Sequence, residues 1–176
     1  MLEKVSFQLG DYAAEISGIL ASAGGGFHPM PLVKNSASPA NAVREVERLR
    51  NASAPVRAAL YLYLGCWDEA HNTADSVENP DGYFWHAIVH RQEPDAANAG
   101  YWFRKTGRHP IFPKLAAEAE SAGYHSGSEW DPYRFVDFCG NVRARSAEER
   151  LALEVQLIEW QLLFDFCTQA NRGQRF

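Results

Sequence analysis

The sequence has few cysteines, and their scarcity argues against two classes of small protein. Only Cys66, Cys139 and Cys167 occur in 176 residues, they lie far apart, and no Cys-X-X-Cys pair is present. An odd number of dispersed thiols favours neither a disulfide framework nor a cysteine-ligated zinc module. Reduced thiols are typical of the cytoplasm, so we expect a cytoplasmic protein.

Long apolar runs and concentrated positive charge are also missing. Asp11 and Glu15 interrupt the first apolar segment before Ile19, so the sequence predicts neither a secretory signal nor a transmembrane helix. The formal net charge is -5 at pH 7, whereas binding to phosphates needs a concentrated basic surface. We therefore expect neither a membrane nor a nucleic acid as a partner.

Strand-like patterns are nearly absent, and helical patterns cover most of the chain. Only residues 61–64 are β-like, and the alanine-rich residues before them favour a helix. The sequence predicts an all-α fold of stacked antiparallel helical hairpins, closed by a long C-terminal helix. In this single domain, 1–176, we expect an N-terminal helix and a Gly/Pro-rich strap in 1–40, hairpins in 41–145 and the long helix in 146–171.

Signals at the helix ends support this division. Gly65 is predicted to turn one hairpin, between helices over 56–64 and 68–77. Asn41, Asp95 and Asp131 are predicted N-caps, because their short side chains accept hydrogen bonds from the first turn. The segment Ser146-Ala147-Glu148-Glu149 has the capping-box pattern and opens the longest helix.

Two segments resemble known helical repeats. The segment Leu64-Gly65-Cys66-Trp67-Asp68-Glu69-Ala70, followed by Ala74, resembles the turn and second helix of a tetratricopeptide repeat, and residues 99–107 resemble half of a Sel1-like repeat. The longer segment HAIVHRQEPDAANAGYWFRKTGRHP resembles that of an uncharacterised helical family found in bacteria and fungi. This resemblance implies an all-helical, repeat-like domain, and it brings no established activity.

The stretch from Gly82 to Pro113 combines ionisable side chains with large aromatic ones. Such a mixture predicts either a costly buried polar network or a binding site. The candidate ligand-binding residues in this stretch are His86, His90, Arg91, Glu93, Asn98, Trp102, Arg104 and His109.

Three of these residues have the spacing of metal ligands. His86 and His90 are four residues apart in a predicted helix, and Glu93 follows three residues later, so all three project from one face. Two imidazoles and a carboxylate suit a divalent metal such as zinc or non-haem iron. Candidates for a further ligand are His71, His109 and Asp95. The favoured alternative is a structural network in which the histidines donate to backbone and carboxylate oxygens, because Pro94 would end the helix almost at Glu93.

Arg91 is predicted to have a structural role. Its guanidinium can fork onto the carboxylate of Glu93 or Asp95 and fix the turn between two helices. A buried charge is retained mostly when it is paired, so pairing is the favoured interpretation over catalysis.

Two functions from different classes remain open. The first is a soluble, non-enzymatic repeat-like module that binds a protein or peptide in the groove between hairpins, and fold analogy favours it. The second is an enzyme or small-molecule binder, metal-dependent in one version. Its pocket would lie around His86, His90, Glu93, Trp102 and His109.

Overall fold

The computed structural model describes residues 7–8, 12–35 and 37–173, and within them it contains nine α-helices and no β-strand. The prediction of an all-α fold is confirmed. The helices are α1 (Ala14–Ser22), α2 (Ala40–Glu47), α3 (Ala54–Tyr63), α4 (Trp67–Asp75), α5 (Pro80–Gln92), α6 (Ala96–Thr106), α7 (Phe112–Ala122), α8 (Pro132–Asn141) and α9 (Ala147–Gly173). None of the described helices is both long enough and apolar enough to cross a membrane.

Helices α3 to α6 form two consecutive hairpins that pack side by side. Each helix contacts the next one along the chain, α3 with α4, α4 with α5 and α5 with α6. Gly65 turns the first hairpin with a φ of 76°, a backbone conformation that other residues rarely adopt. The predicted stacking of hairpins is present, and it places α5 between α4 and α6.

Three of the four N-caps that the sequence predicts are present in the structure. The side chain of Asp95 accepts a hydrogen bond from the backbone of Asn98, and Asp131 caps α8 in the same way. The hydroxyl of Ser146 accepts from the Glu149 amide at 3.0 Å, as the capping-box pattern predicts. Asn41 is not a cap, since it lies inside α2, which begins one residue earlier.

The first helix starts later than the hydrophobic spacing predicts. Tyr12, Ile16, Ile19 and Leu20 have helical spacing, which predicts a first helix over residues 7–21, whereas α1 begins at Ala14. Tyr12, counted as part of the apolar stripe, precedes the helix, and part of the predicted segment, residues 9–11, lies outside the described chain.

The long helix α9 closes the core and also holds the strap between α1 and α2. Trp160 is fully buried, and its indole donates to the carbonyl of Ala59 in α3 at 2.9 Å. The amide of Gln156 donates to the carbonyl of Met30 at 3.0 Å, and that of Gln161 to the carbonyl of Gly26 at 2.7 Å. Because the strap is not helical, these backbone carbonyls have no hydrogen-bond partner within a helix, and the side-chain amides of α9 supply one.

A buried ion pair joins α5 to α9. The guanidinium of Arg91 forks onto both carboxylate oxygens of Glu159, at 2.5 and 3.2 Å, and the two side chains are 1% and 0% exposed. The same guanidinium lies 4.6 Å from the ring centre of Phe135. The predicted pairing of Arg91 with Glu93 or Asp95 is wrong, because the bidentate partner comes from a helix 68 residues away.

Breaking this ion pair on one side should destabilise the protein far more than removing it from both sides. Arg91→Met leaves the Glu159 carboxylate buried and unpaired, so we expect a loss of about 3–5 kcal/mol in the free energy of unfolding, measured in urea. The double variant Arg91→Met/Glu159→Leu should recover most of that loss.

The matched control is the exposed pair of Arg108 and Glu129, in which one guanidinium nitrogen, Nη2, donates to both carboxylate oxygens and the side chains are 85% and 71% exposed. Arg108→Met should cost less than about 1 kcal/mol. Equal costs for Arg91→Met and Arg108→Met would contradict the structural role assigned to the buried pair.

Candidate functional site

Three histidine side chains from two neighbouring helices meet between α4 and α5. His71 comes from α4, and His86 and His90 come from successive turns of α5. One ring nitrogen of each lies within 4.8 Å of the other two. The Nε2 atoms of His71 and His86 are 3.2 Å apart. We call this group the histidine cluster.

Helical spacing explains why the rings converge. His86 and His90 are four residues apart on one face of α5, and their rings stack with centroids 4.9 Å apart and planes 15° from parallel. The ring of His71 stands edge-on to both, at 4.7 and 5.2 Å. The plane of the His71 ring is therefore nearly perpendicular to the planes of the His86 and His90 rings.

Two tryptophans form walls beside the histidine cluster. Trp102, from α6, stacks on His86 with ring centroids 3.9 Å apart. Trp67, one turn before His71 on α4, stacks on it at 5.3 Å. The indole of Trp67 also donates to the carbonyl of Val89 in α5 at 3.0 Å, which ties the two helices together. These rings limit the orientations open to both imidazoles.

Carboxylates lie behind two of the histidines. The Nδ1 atom of His86 is 3.8 Å from Asp75, and that of His90 is 3.3 Å from Glu93. Asp95 lies beyond, and His90, Glu93 and Asp95 form a second group of mutually close ligand atoms. Asp75 and Glu93 therefore sit where carboxylates commonly orient metal-binding imidazoles through the other ring nitrogen.

The buried histidines are held in the neutral form. The pKa of His86 is lowered to about 4, mainly by burial and then by the neighbouring His71 and His90, against a smaller opposing effect of Asp75. Burial also lowers the pKa of His90, followed by the effect of His71. A neutral imidazole has a free lone pair, which is the state that binds metals.

Only part of the predicted site is assembled here. His86, His90, Glu93 and Trp102 are neighbours, and His71, predicted only as a candidate further ligand, completes the cluster. Glu93 groups with His90 and Asp95 rather than with both histidines.

The other predicted site residues lie elsewhere. Asn98 is exposed and hydrogen-bonds the capping Asp95 at 2.8 Å, and Arg104 is exposed on α6. Arg91 belongs to the buried pair with Glu159. His109 is also removed from the cluster: its Nε2 lies 2.9 Å from Asp81, and its ring packs against Phe84. Phe84 precedes His86 by two residues and so projects about 200° away on the helix.

Sequence reasoning missed Asp75, Trp67 and Lys34 as neighbours of the site. Lys34 comes from the strap, and its ammonium lies 3.1 Å from Glu93 and 3.7 Å from the ring centre of Trp67. The spacing of Trp67 and His71, four residues apart on α4, was the available signal for a second ligand-bearing helix. Lys34 had no such signal in the sequence, because only the folded strap brings it near the site.

No protein-family model, curated protein or solved structure matches the chain.

The neutral histidines make the stability of the metal-free protein depend on pH. Because the pKa of His86 is about 4 when folded and 6.5 without the fold, the unfolded chain binds the extra proton below pH 6.5. Above pH 6.5, His86 is neutral in both states and does not reduce the stability of the fold. As the pH falls from 6.5 towards 4, protonation of His86 in the unfolded chain lowers that stability. For His86 alone, we expect the free energy of unfolding to be about 2 kcal/mol lower at pH 5 than at pH 7, and the lowered pKa of His90 adds to this difference.

Urea unfolding in the presence of a chelator measures this difference. In His86→Gln the difference should shrink to the part contributed by His90, whose pKa is shifted in the same direction. An unchanged pH difference in this variant would contradict the assignment to His86.

Proposed function

We propose that this protein binds a divalent transition metal, zinc in the first instance, through His71, His86 and His90. The observation that carries the proposal is the convergence of three imidazole nitrogens within 4.8 Å. Tetrahedral ligands with zinc–nitrogen bonds of about 2.0–2.1 Å lie about 3.3–3.4 Å from one another. The Nε2 atoms of His71 and His86 are 3.2 Å apart, so this pair already has nearly the required separation.

The polar surroundings support a metal site over a structural network. Buried polar atoms are generally hydrogen-bonded in folded proteins. The Nδ1 atoms of His86 and His90 are buried without a hydrogen-bond partner among the described residues, although carboxylates lie 3.8 and 3.3 Å away. A metal on Nε2 would fix the proton on Nδ1, which could then donate to Asp75 and Glu93.

The number of protein ligands indicates the kind of metal site. Structural zinc sites have four protein ligands, whereas catalytic ones use three and leave the fourth position to water or substrate. The histidine cluster offers three nitrogens, and His71 is half-buried rather than buried. We therefore propose a centre that activates water, the chemistry of metal-dependent hydrolysis.

A second candidate function rests on a separate feature. A groove of about 640 Å³ lies between the start of α7 and the loop before α8. Phe112, Pro110 and Trp130 give it an apolar lining, and the ion pair of Arg108 and Glu129 forms part of its rim. We propose this groove as the binding place of a protein or peptide partner, instead of the groove between hairpins that the sequence predicts.

Calorimetric titration of zinc into chelator-treated protein tests the metal site. We expect one ion per chain. Asp75→Asn and Glu93→Gln should weaken binding about 10–100-fold, the usual cost of losing an orienting carboxylate, and His71→Ala, His86→Ala and His90→Ala should weaken it more. Bound zinc should also raise the melting temperature of the wild type.

The control is His125→Ala, which removes a histidine that is 77% exposed and paired with Glu120. Its zinc affinity should equal that of the wild type. Each variant must first show a cooperative unfolding transition. Wild-type protein that binds no zinc, or that binds it equally well without the three histidines, would refute the proposal.

A further inference from the structure

The carboxylate of Glu93 lies between a proposed metal ligand and a lysine of the strap. Its Oε2 atom is 3.3 Å from Nδ1 of His90, and its Oε1 atom accepts a hydrogen bond from the ammonium of Lys34 at 3.1 Å. Across the described part of the chain, no other lysine or arginine lies within 4.0 Å of this carboxylate. A carboxylate on a flexible side chain orients an imidazole well only when it is held in place itself.

Two further contacts fix the position of Lys34. Its backbone amide donates to the carbonyl of Gln92 at 2.8 Å, in the last turn of α5, where the helix leaves carbonyls without a donor. Its ammonium lies 3.7 Å from the ring centre of Trp67, and such a contact holds a cation in place without neutralising it. Both the backbone and the charge of Lys34 are therefore held against the helices that carry the histidine cluster.

The strap before Lys34 is in turn fixed to α9. The side-chain amide of Gln156 donates to the carbonyl of Met30 at 3.0 Å and to that of Pro31 at 3.3 Å. Lys34 follows Pro31 by only three residues, so its place depends on how the strap is seated. A segment without helical structure thus reaches a proposed metal ligand through a single carboxylate.

We propose that Lys34 is a positioning residue of the metal centre, which holds Glu93 where its carboxylate accepts a hydrogen bond from Nδ1 of His90. The inference rests on the proposed metal site and adds a control of that site by the strap. Because the coupling between two binding events is reciprocal, a metal affinity that depends on Lys34 means that the metal also restrains the strap.

Calorimetric titration of zinc into Lys34→Met tests the positioning role, since methionine has a side chain of similar length without the charge. By electrostatics alone, removing a positive charge near the site should strengthen the binding of a cation. We expect the opposite, a zinc affinity lowered about threefold to tenfold, because Glu93 loses the partner that orients it. Lys34→Arg can still pair with the carboxylate and should retain most of the affinity.

Lys105→Met is the matched control. The ammonium of Lys105 lies 4.7 Å from the ring centre of Trp102, the other tryptophan wall, but across the described residues no carboxylate lies within 4.0 Å of it. This variant should bind zinc at least as tightly as the wild type. In Glu93→Gln, the additional change Lys34→Met should cause little further loss, because the carboxylate through which the lysine acts is already gone.

Amide hydrogen exchange, followed by mass spectrometry, measures the effect on the strap. We expect zinc to slow exchange in the strap of the wild-type protein, because the bound ion favours the arrangement in which Lys34 holds Glu93. The slowing should be smaller in Lys34→Met.

The outcomes separate this inference from the proposed function. Wild-type protein that binds no zinc refutes the metal site itself. If the wild type binds zinc, an affinity of Lys34→Met equal to or above that of the wild type overturns only the role of Lys34. Fully additive losses in Lys34→Met/Glu93→Gln, or strap exchange that zinc leaves unchanged, would overturn it as well.

Discussion

The buried ion pair between Arg91 and Glu159 fixes how α5 faces α9. Helix α5 is buried along almost its whole length, so it has no broad exposed face to set its rotation about its own axis. The bidentate contact with α9 fixes that rotation, because turning Arg91 away would leave two buried charges unpaired. Once Arg91 faces α9, the helical repeat directs His86 and His90 towards α4. The position of the histidine cluster therefore follows from an ion pair on another face of the same helix.

The histidine cluster shows how one helix can carry a structural and a functional polar face. On the structural face, Arg91 has its charge balanced by Glu159, and the contact is closed to water. On the other face, His86 and His90 are buried, neutral and incompletely hydrogen-bonded. Residues left in this state cost stability, and such a cost is common where a protein binds a ligand. Each face has a buried nitrogen without a hydrogen-bond partner among the described residues, Nε of Arg91 on one and Nδ1 of the two histidines on the other, but only the histidines converge with a third potential ligand, which supports placing the function at the cluster.

Local chemistry made much of the fold predictable, whereas contacts between distant segments were not. Asp95, Asp131 and Ser146 predict the starts of helices, because each side chain bonds the backbone of the residues that follow it. Gly65 predicts a turn in the same local way. The pairing of Arg91 could not be predicted this way, since closer carboxylates were equally acceptable by charge and only packing selects Glu159. The same limit applies to the site. The spacing of His86 and His90 indicated a ligand-bearing face, but the third ring, His71, and the lysine of the strap come from other segments. Their approach depends on how α4 and the strap pack against α5.

X-ray absorption at the zinc edge of the zinc-loaded protein reports which atoms bind the ion, and so tests whether the three histidines are its ligands. We expect three imidazole nitrogens at about 2.0–2.1 Å and an oxygen from water or an anion as the remaining ligand. Sulfur at about 2.3 Å would assign the ion to a cysteine, and a shell of oxygens alone would assign it to surface carboxylates. Either result would contradict a metal centre built from His71, His86 and His90.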